Sequence, residues 1–251
     1  MRSVVSKLVA LGAIGLGLVV GSGQARADAK GDAALQKVVD ALHSYKTLTN
    51  QYTMTTQEPG KDPTDMVVRT NFSGQKQFTE LLAPGDVKGT KVLHLSETEM
   101  YIYMPAYRKI RRIASHVNDQ GFLGTTYSAT DMNLTNYNQF FTATVASEDG
   151  GNLVLTLDPK PDARSPYGKM ELTIDKSMNL PTRIKYFDEK GNHVKTETRT
   201  NYVCEGKVCL AKRQKMVDHT KNDKWSRLEL TEYHVNPSLP DDMFSKRNLQ
   251  H

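Results

Sequence analysis

Along most of this chain, apolar and polar positions alternate with a period of two. Leu153, Leu155 and Leu157 share one face of an extended segment, and so do Met170, Leu172 and Ile174. The pattern predicts strands at 51–57, 65–72, 77–82, 90–95, 99–104, 140–145, 152–157, 169–174, 182–187, 193–200, 208–217 and 227–235. Short turn-forming runs separate them, such as Ala83-Pro-Gly-Asp86, Glu148-Asp-Gly-Gly151 and Asp188-Glu-Lys-Gly-Asn192. One early segment has a different period. Leu35, Val38, Val39, Leu42 and Tyr45 recur at spacings of three and four, which predicts an amphipathic helix over 32–45 with Asp32 as its N-cap. A single helix ahead of so many strands should lie on a sheet. Short strands joined by tight turns predict a long antiparallel meander, which must curl or cover its face and edges. The expected fold is therefore mainly β with a few helices: a strongly curved, incomplete antiparallel β-barrel with helices over its mouth.

Two stretches depart from this regular texture. Met100-Tyr-Ile-Tyr-Met-Pro-Ala-Tyr-Arg-Lys-Ile-Arg-Arg-Ile113 combines three tyrosines, two methionines, three isoleucines and four cations. Alternation puts Tyr101 and Tyr103 on one face of the strand and Ile102 and Met104 on the other. Either set could pack a core, and either could line a cavity, since methionine adapts to irregular ligands and tyrosine offers a polar tip. Arg108, Lys109, Arg111 and Arg112 are either a solvated strand face or a site for an anionic headgroup or acidic partner. Next comes Gln120-Gly-Phe-Leu-Gly-Thr-Thr-Tyr-Ser-Ala-Thr-Asp-Met132. It exposes Phe122 and Leu123 between glycines, ahead of a short helix. It reads as a mobile apolar flap beside the sheet, because exposed apolar residues of this kind dock somewhere.

The N-terminus carries Arg2 and Lys7, an apolar run over 8–20, and Ala25-Arg-Ala27. This is the three-part pattern of a secretory signal peptide, cleaved before Asp28. The apolar run is shorter than the roughly 20 residues a membrane span needs. Residues 1–27 hold three basic residues and no acid, so the mature chain keeps 30 of 33 basic residues against 28 acidic ones, a net charge of +2. That balance argues against nucleic acid as a partner. The two cysteines, Cys204 and Cys209, flank a Gly206 turn between apolar runs, which predicts a hairpin closed by a disulfide in an oxidising compartment. A redox pair would place two residues between the cysteines instead of four. The chain has no Gly-x-Ser-x-Gly, His-Glu-x-x-His or phosphate-loop motif, and its seven histidines are scattered. The expectation is a protein that is not an enzyme and uses no metal or cofactor.

Lys88-Gly-Thr90, the aromatic stretch 100–113, Gly121 to Met132 and Leu239-Pro-Asp-Asp-Met-Phe244 together resemble the LolA-like outer membrane lipoprotein-sorting protein family. The resemblance runs from about Arg69 to the end. It implies one domain over 28–251, an incomplete barrel with a helical lid over an apolar cavity, and periplasmic residence. It also implies a carrier that binds a lipid or lipoprotein acyl chain and transfers it to or from a membrane partner. On that reading Tyr101, Ile102, Tyr103, Met104, Phe122, Leu123, Tyr127 and Met132 line the cavity and flap, and Arg108, Lys109, Arg111 and Arg112 meet headgroup or partner. Members often accompany RND-type exporters. An alternative is therefore an accessory protein of an RND-type inner-membrane transporter that carries no lipid; a more distant one is a lipoprotein-sensing regulator.

Overall fold

The computed structural model describes residues 28–96, 99–113, 121–163, 165 and 167–250. The expected signal peptide, residues 1–27, and Gln120 at the head of the flap lie outside the described residues. The chain opens with helix α1 (Ala29–Leu42) and runs through β1 (Thr47–Gln57), β2 (Thr64–Ser73), β3 (Lys76–Ala83), β4 (Lys91–Ser96), β5 (Glu99–Met104) and β6 (Lys109–Ile113). A connecting segment carries a 3-10 turn at Phe122–Gly124 and two short helices, α2 (Ala129–Asn133) and α3 (Tyr137–Phe140). Then follow β7 (Phe141–Glu148), β8 (Asn152–Pro159), β9 (Lys169–Asp175), β10 (Leu180–Phe187), β11 (His193–Glu205), β12 (Val208–Asp218) and β13 (Lys224–Val235). Two 3-10 turns, Asp241–Phe244 and Arg247–Gln250, end the described chain.

These strands form one antiparallel sheet in the order β6-β5-β4-β3-β2-β1-β13-β12-β11-β10-β9-β8-β7. The sheet is open, with β6 and β7 at its edges, and β1 and β13 meet in its middle. The connecting segment therefore runs from one edge to the other.

The period-two pattern reaches the structure almost unchanged, with two corrections. The expected strand 99–104 is β5, and a further strand that was not expected, β6, follows it across a turn, so the stretch 100–113 is a hairpin. Pro105 cannot donate to a ladder. The chain turns there, with the Arg108 N–H bonded to the Met104 carbonyl at 3.0 Å and Arg108 in the left-handed region at φ 49°. The first helix starts earlier than expected, with Asp28 as N-cap accepting from the Lys30 N–H at 3.0 Å. Asp32 instead turns to the sheet, where its carboxylate accepts the Ala143 N–H of edge strand β7 at 2.7 Å. The helix comes so close there that a Cβ on Gly31 would stand 2.3 Å from the Ala143 carbonyl oxygen. In this way α1 blocks an edge that would otherwise offer hydrogen-bonding groups to other chains.

The main core lies between α1, α2, α3 and the β7–β12 half of the sheet. Leu35, Val38 and Val39 of α1 pack with Phe141, Leu155, Leu157, Met170, Leu172 and Ile184. A smaller cluster covers the opposite face of β3–β6, where Phe78, Leu93, Tyr101, Tyr103 and Ile110 are sealed by Met243, Phe244 and a fully buried Leu249. The predicted disulfide is present: Cys204 and Cys209 are bonded across the β11–β12 hairpin beside its Gly206 turn. Gly206 has φ 61°, a conformation glycine adopts without penalty.

Candidate functional site

The concave face of β1–β5 is left largely unfilled. Side chains that alternate inward form aligned rows across the strands: Leu48, Phe72, Gln77, His94 and Met100; Asn50, Thr70, Thr79 and Val92; Tyr52, Val68 and Leu81; Met54 and Met66. All of these border one cavity of about 210 Å³. Leu42 and Tyr45 close one end, and Phe122, Tyr127, Met132 and Leu134 of the connecting segment contribute the roof. An apolar void of about 150 Å³ is enough to take up a benzene-sized molecule, whereas drug-sized ligands occupy about 300–1,000 Å³. The space therefore suits a slender chain.

The far wall of the cavity is polar. Strand β11 turns Lys195, Glu197 and Arg199 to one side by alternation, and of these Glu197 and Arg199 line the cavity. Arg199 donates to both carboxylate oxygens of Glu197, at 2.8 and 3.3 Å, and the Tyr186 hydroxyl donates to Glu197 at 2.8 Å. Arg199 also bonds Tyr137. Lys195 donates at 2.7 Å to Asp131 of α2, whose carboxylate also takes the Tyr167 hydroxyl and the Ser128 N–H. Ser128 and Asp131 form a reciprocal capping box that fixes the start of α2. Burial raises Tyr127 well above the ordinary phenol range and Tyr52 to about 12, so both hydroxyls stay protonated donors at neutral pH. Burial lowers His94, which is neutral there and bonded to the Gln75 backbone.

Only part of the flap lies at the surface. Thr125, Thr126, Tyr127 and Ser128 are buried. The Thr126 N–H donates to the Ser226 hydroxyl at 2.9 Å, and the Thr126 hydroxyl donates to the Met216 carbonyl. Ser226 in turn bonds Thr56. This half is stitched into the sheet, and a Cβ on Gly121 would meet the Thr125 carbonyl oxygen at 2.1 Å. Phe122 and Leu123 remain outside that stitched part; Leu123 is 41% exposed, with φ 47°.

Of the eight residues expected at the cavity and flap, Phe122, Tyr127 and Met132 line the cavity. Tyr101, Ile102, Tyr103, Met104 and Leu123 do not. Tyr101 and Tyr103 face the smaller cluster on the other side of the sheet, where Lys246 lies over the Tyr101 ring and the Tyr101 hydroxyl donates to Glu99. Ile102 and Met104 share the inward face with Met100, beyond the rim of the cavity. The four cations are divided by their strand. Arg112 pairs opposite Tyr101, and Arg111 pairs opposite Ile102, so the two arginines project to opposite faces. Lys109 shares the Arg111 face, and Arg108 sits in the turn. The 100–113 stretch gave no hint of Glu197, Arg199, Lys195 or Asp131. Their signal was Lys195-Thr-Glu-Thr-Arg199, charge alternating with threonine in the middle of a strand.

No helix among the described residues is long and apolar enough to cross a membrane, and among them no group of three or more His, Cys, Asp or Glu could hold a metal ion.

An open antiparallel sheet beside a mostly apolar cavity with a charged wall defines an incomplete barrel, a half-barrel. A protein-family model described as "Uncharacterized protein" matches residues 73–251. The chain belongs to that family, and its fold is LolA-like. Among solved structures, it is similar to a putative outer membrane lipoprotein-sorting protein domain from Vibrio parahaemolyticus, at 22% identity and TM-score 0.78, with 88% of this chain and 99% of that one covered. A DUF1329 family protein from Desulfovibrio piger is 18% identical, with TM-score 0.77 and coverage of 86% and 98%. A LolA superfamily protein from Nitrosomonas europaea is also 18% identical, with TM-score 0.72 and coverage of 87% and 98%. At these identities the likeness speaks for the fold. No curated protein matches the sequence.

Proposed function

We propose that this protein is a non-enzymatic periplasmic carrier. It is exported by the segment 1–27, holds one acyl chain or lipid in the hollow half of the barrel, and passes it to or from a membrane partner. The observation that carries this reading is the 210 Å³ cavity, lined by Leu48, Met54, Met66, Val68, Leu81 and Met100 and roofed by the connecting segment. That segment is the lid: Phe122 and Met132 cover the chain, and opening it exposes the groove. Lys109 and Arg111, which share one face of the β5–β6 hairpin, together with Arg108 in its turn, meet the headgroup or an acidic partner surface, because guanidinium groups bind phosphate and carboxylate in pairs of hydrogen bonds.

Each buried methylene contributes about 0.8 kcal/mol, and association itself costs at least about 4 kcal/mol. A chain must therefore bury more than about five methylenes before binding is favourable. The test is a titration of purified mature protein with fluorescent acyl probes of increasing length. Long chains should bind saturably at one site per protein, short ones should not, and anionic vesicles should accept the probe. Absence of saturable binding at every length would leave the accessory-protein reading, in which the half-barrel serves an RND-type transporter without carrying lipid.

A further inference from the structure

The convex face of the sheet changes character along its width. Over β3–β6 it is apolar and the C-terminal turns sit on it. Over β10–β13 it is cationic. Pairing register sets the outward side chains of these strands in rows. One row runs Trp225, Val217, Thr196 and Lys185; the next runs Arg227, Lys215, Thr198 and Arg183; the third sets Glu229 opposite Arg213. Arg183 and Arg213 are exposed, and Lys185, Lys215, Trp225 and Arg227 are half-buried. Two acids answer the five cations: Glu229, 2.8 Å from Arg213 and 3.6 Å from Arg227, and Glu171 of β9, 2.6 Å from Lys185. The rows with Glu171 therefore carry a net charge of +3, where the whole mature chain has only +2. Lys215 and Arg227 stand directly opposite each other, a like-charge pairing that destabilises a sheet by itself. Both lie over the Trp225 ring, with Lys215 Nζ 4.7 Å and Arg227 Cζ 5.6 Å from its centroid. None of these side chains borders the cavity.

We propose that this convex face docks the protein on an anionic phospholipid bilayer, with Arg183, Lys215 and Arg227 against the phosphates and Trp225 at headgroup depth. The charge is spread over neighbouring strands of a broad sheet face, so it complements an extended anionic surface rather than a single ion. Tryptophan joins an apolar body to one polar N–H and collects at membrane interfaces. Lysine and arginine bury their stems along apolar surface while their charged heads stay in the polar layer, which suits the same depth. The docking face lies apart from the cavity, so this inference goes beyond the carrier reading and does not depend on what the cavity holds.

Trp225 is the single tryptophan of the chain, so tryptophan emission reports this face alone. Mature protein is mixed with vesicles of phosphatidylglycerol and phosphatidylcholine in equal parts, and with vesicles of phosphatidylcholine only. Flotation should show binding to the mixed vesicles and none to the neutral ones, and Trp225 emission should shift to the blue on binding. Raising salt from about 0.15 M to about 1 M shortens the screening length from about 8 Å to about 3 Å and should release the protein. Lys215→Gln with Arg227→Gln should weaken vesicle binding about 30-fold, about fivefold for each cation removed. The melting temperature of that variant should hold or rise, because a like-charge pairing has been relieved, and its binding of a fluorescent acyl probe should match wild type. Val92→Phe, which fills the cavity, should dock as wild type does. Failure to bind the mixed vesicles, or equal binding to the neutral ones, overturns the proposal. Binding without a shift in Trp225 emission assigns the contact to another face and overturns it too. Tighter binding to polyglutamate than to the mixed vesicles would make an acidic protein the partner instead, and weaker docking of Val92→Phe would tie the event to the cavity; either result contradicts it. Should the double variant not fold, the wild-type emission shift and its salt dependence decide alone.

Discussion

The two halves of the concave face share one sheet, one curvature and one alternating pattern, yet one is filled and the other hollow. Over β7–β10, Leu155, Leu157, Met170, Leu172 and Ile184 show no exposure, because the apolar stripe of α1 lies on them. Over β1–β5, the inward side chains border the cavity: Leu48, Met54, Leu81 and Met100 are buried around it, and Met66, Val68, Phe72 and Val92 keep partial exposure. The reason is the reach of the filler. Helix α1 has 14 residues, a length of about 21 Å, and it ends at Leu42 where the hollow begins. The only cover beyond it among the described residues is the connecting segment, whose buried part is anchored at Ser226 and Met216.

The boundary strand should be the most sensitive place. Arg199→Met leaves Glu197 buried without its cation and should cost about 3–5 kcal/mol in a denaturant titration. The double change Glu197→Leu with Arg199→Met should recover most of that loss, since replacing a buried pair by apolar groups is often near neutral. In the filled half, Leu172→Ala should cost about 2–5 kcal/mol, with ligand affinity of the folded fraction unchanged. An effect on affinity as large as that on stability would erase the distinction between the halves. Replacing both Cys204 and Cys209 with Ser should cost about 2 kcal/mol, the loop-entropy value for so short a ring. The smallest effect on stability should come from filling the hollow. Val92→Phe places its ring in existing space and should cost less than about 1 kcal/mol while abolishing acyl-probe binding. Leu155→Phe, the same kind of change in the packed half, should cost about 1–3 kcal/mol.

The sheet itself was legible, because alternation is a local property of the chain and the strands follow it. What alternation could not give was direction. It separated Tyr101 and Tyr103 from Ile102 and Met104, but which set faces inward depends on the C-terminal turns that cover the tyrosines, far away in sequence. The helix start was shifted because two acids, Asp28 and Asp32, both suit a cap, and only tertiary structure shows Asp32 turned to the Ala143 N–H. The hairpin at Pro105 was hidden by its own composition, since aromatics and cations continue through the turn. In the flap, the apolar Phe122 drew attention by its glycine neighbours. The buried threonines Thr125 and Thr126 did not, because hydroxyls satisfied inside the fold look like surface residues in a sequence. Lys195, Glu197 and Arg199 were missed for the same reason: charges on a strand read as solvated until their partners are placed.

The central claim is that the hollow half holds an acyl-containing molecule. The most direct measurement is native mass spectrometry of the mature protein purified from its own periplasm without detergent, alongside Val92→Phe prepared identically. The account predicts a stoichiometric adduct on the wild-type protein, released by organic solvent and identified as an acyl compound, with no adduct on Val92→Phe. Wild-type protein that arrives bare and stays bare when offered lipid, or a Val92→Phe variant that carries the same adduct, would contradict it.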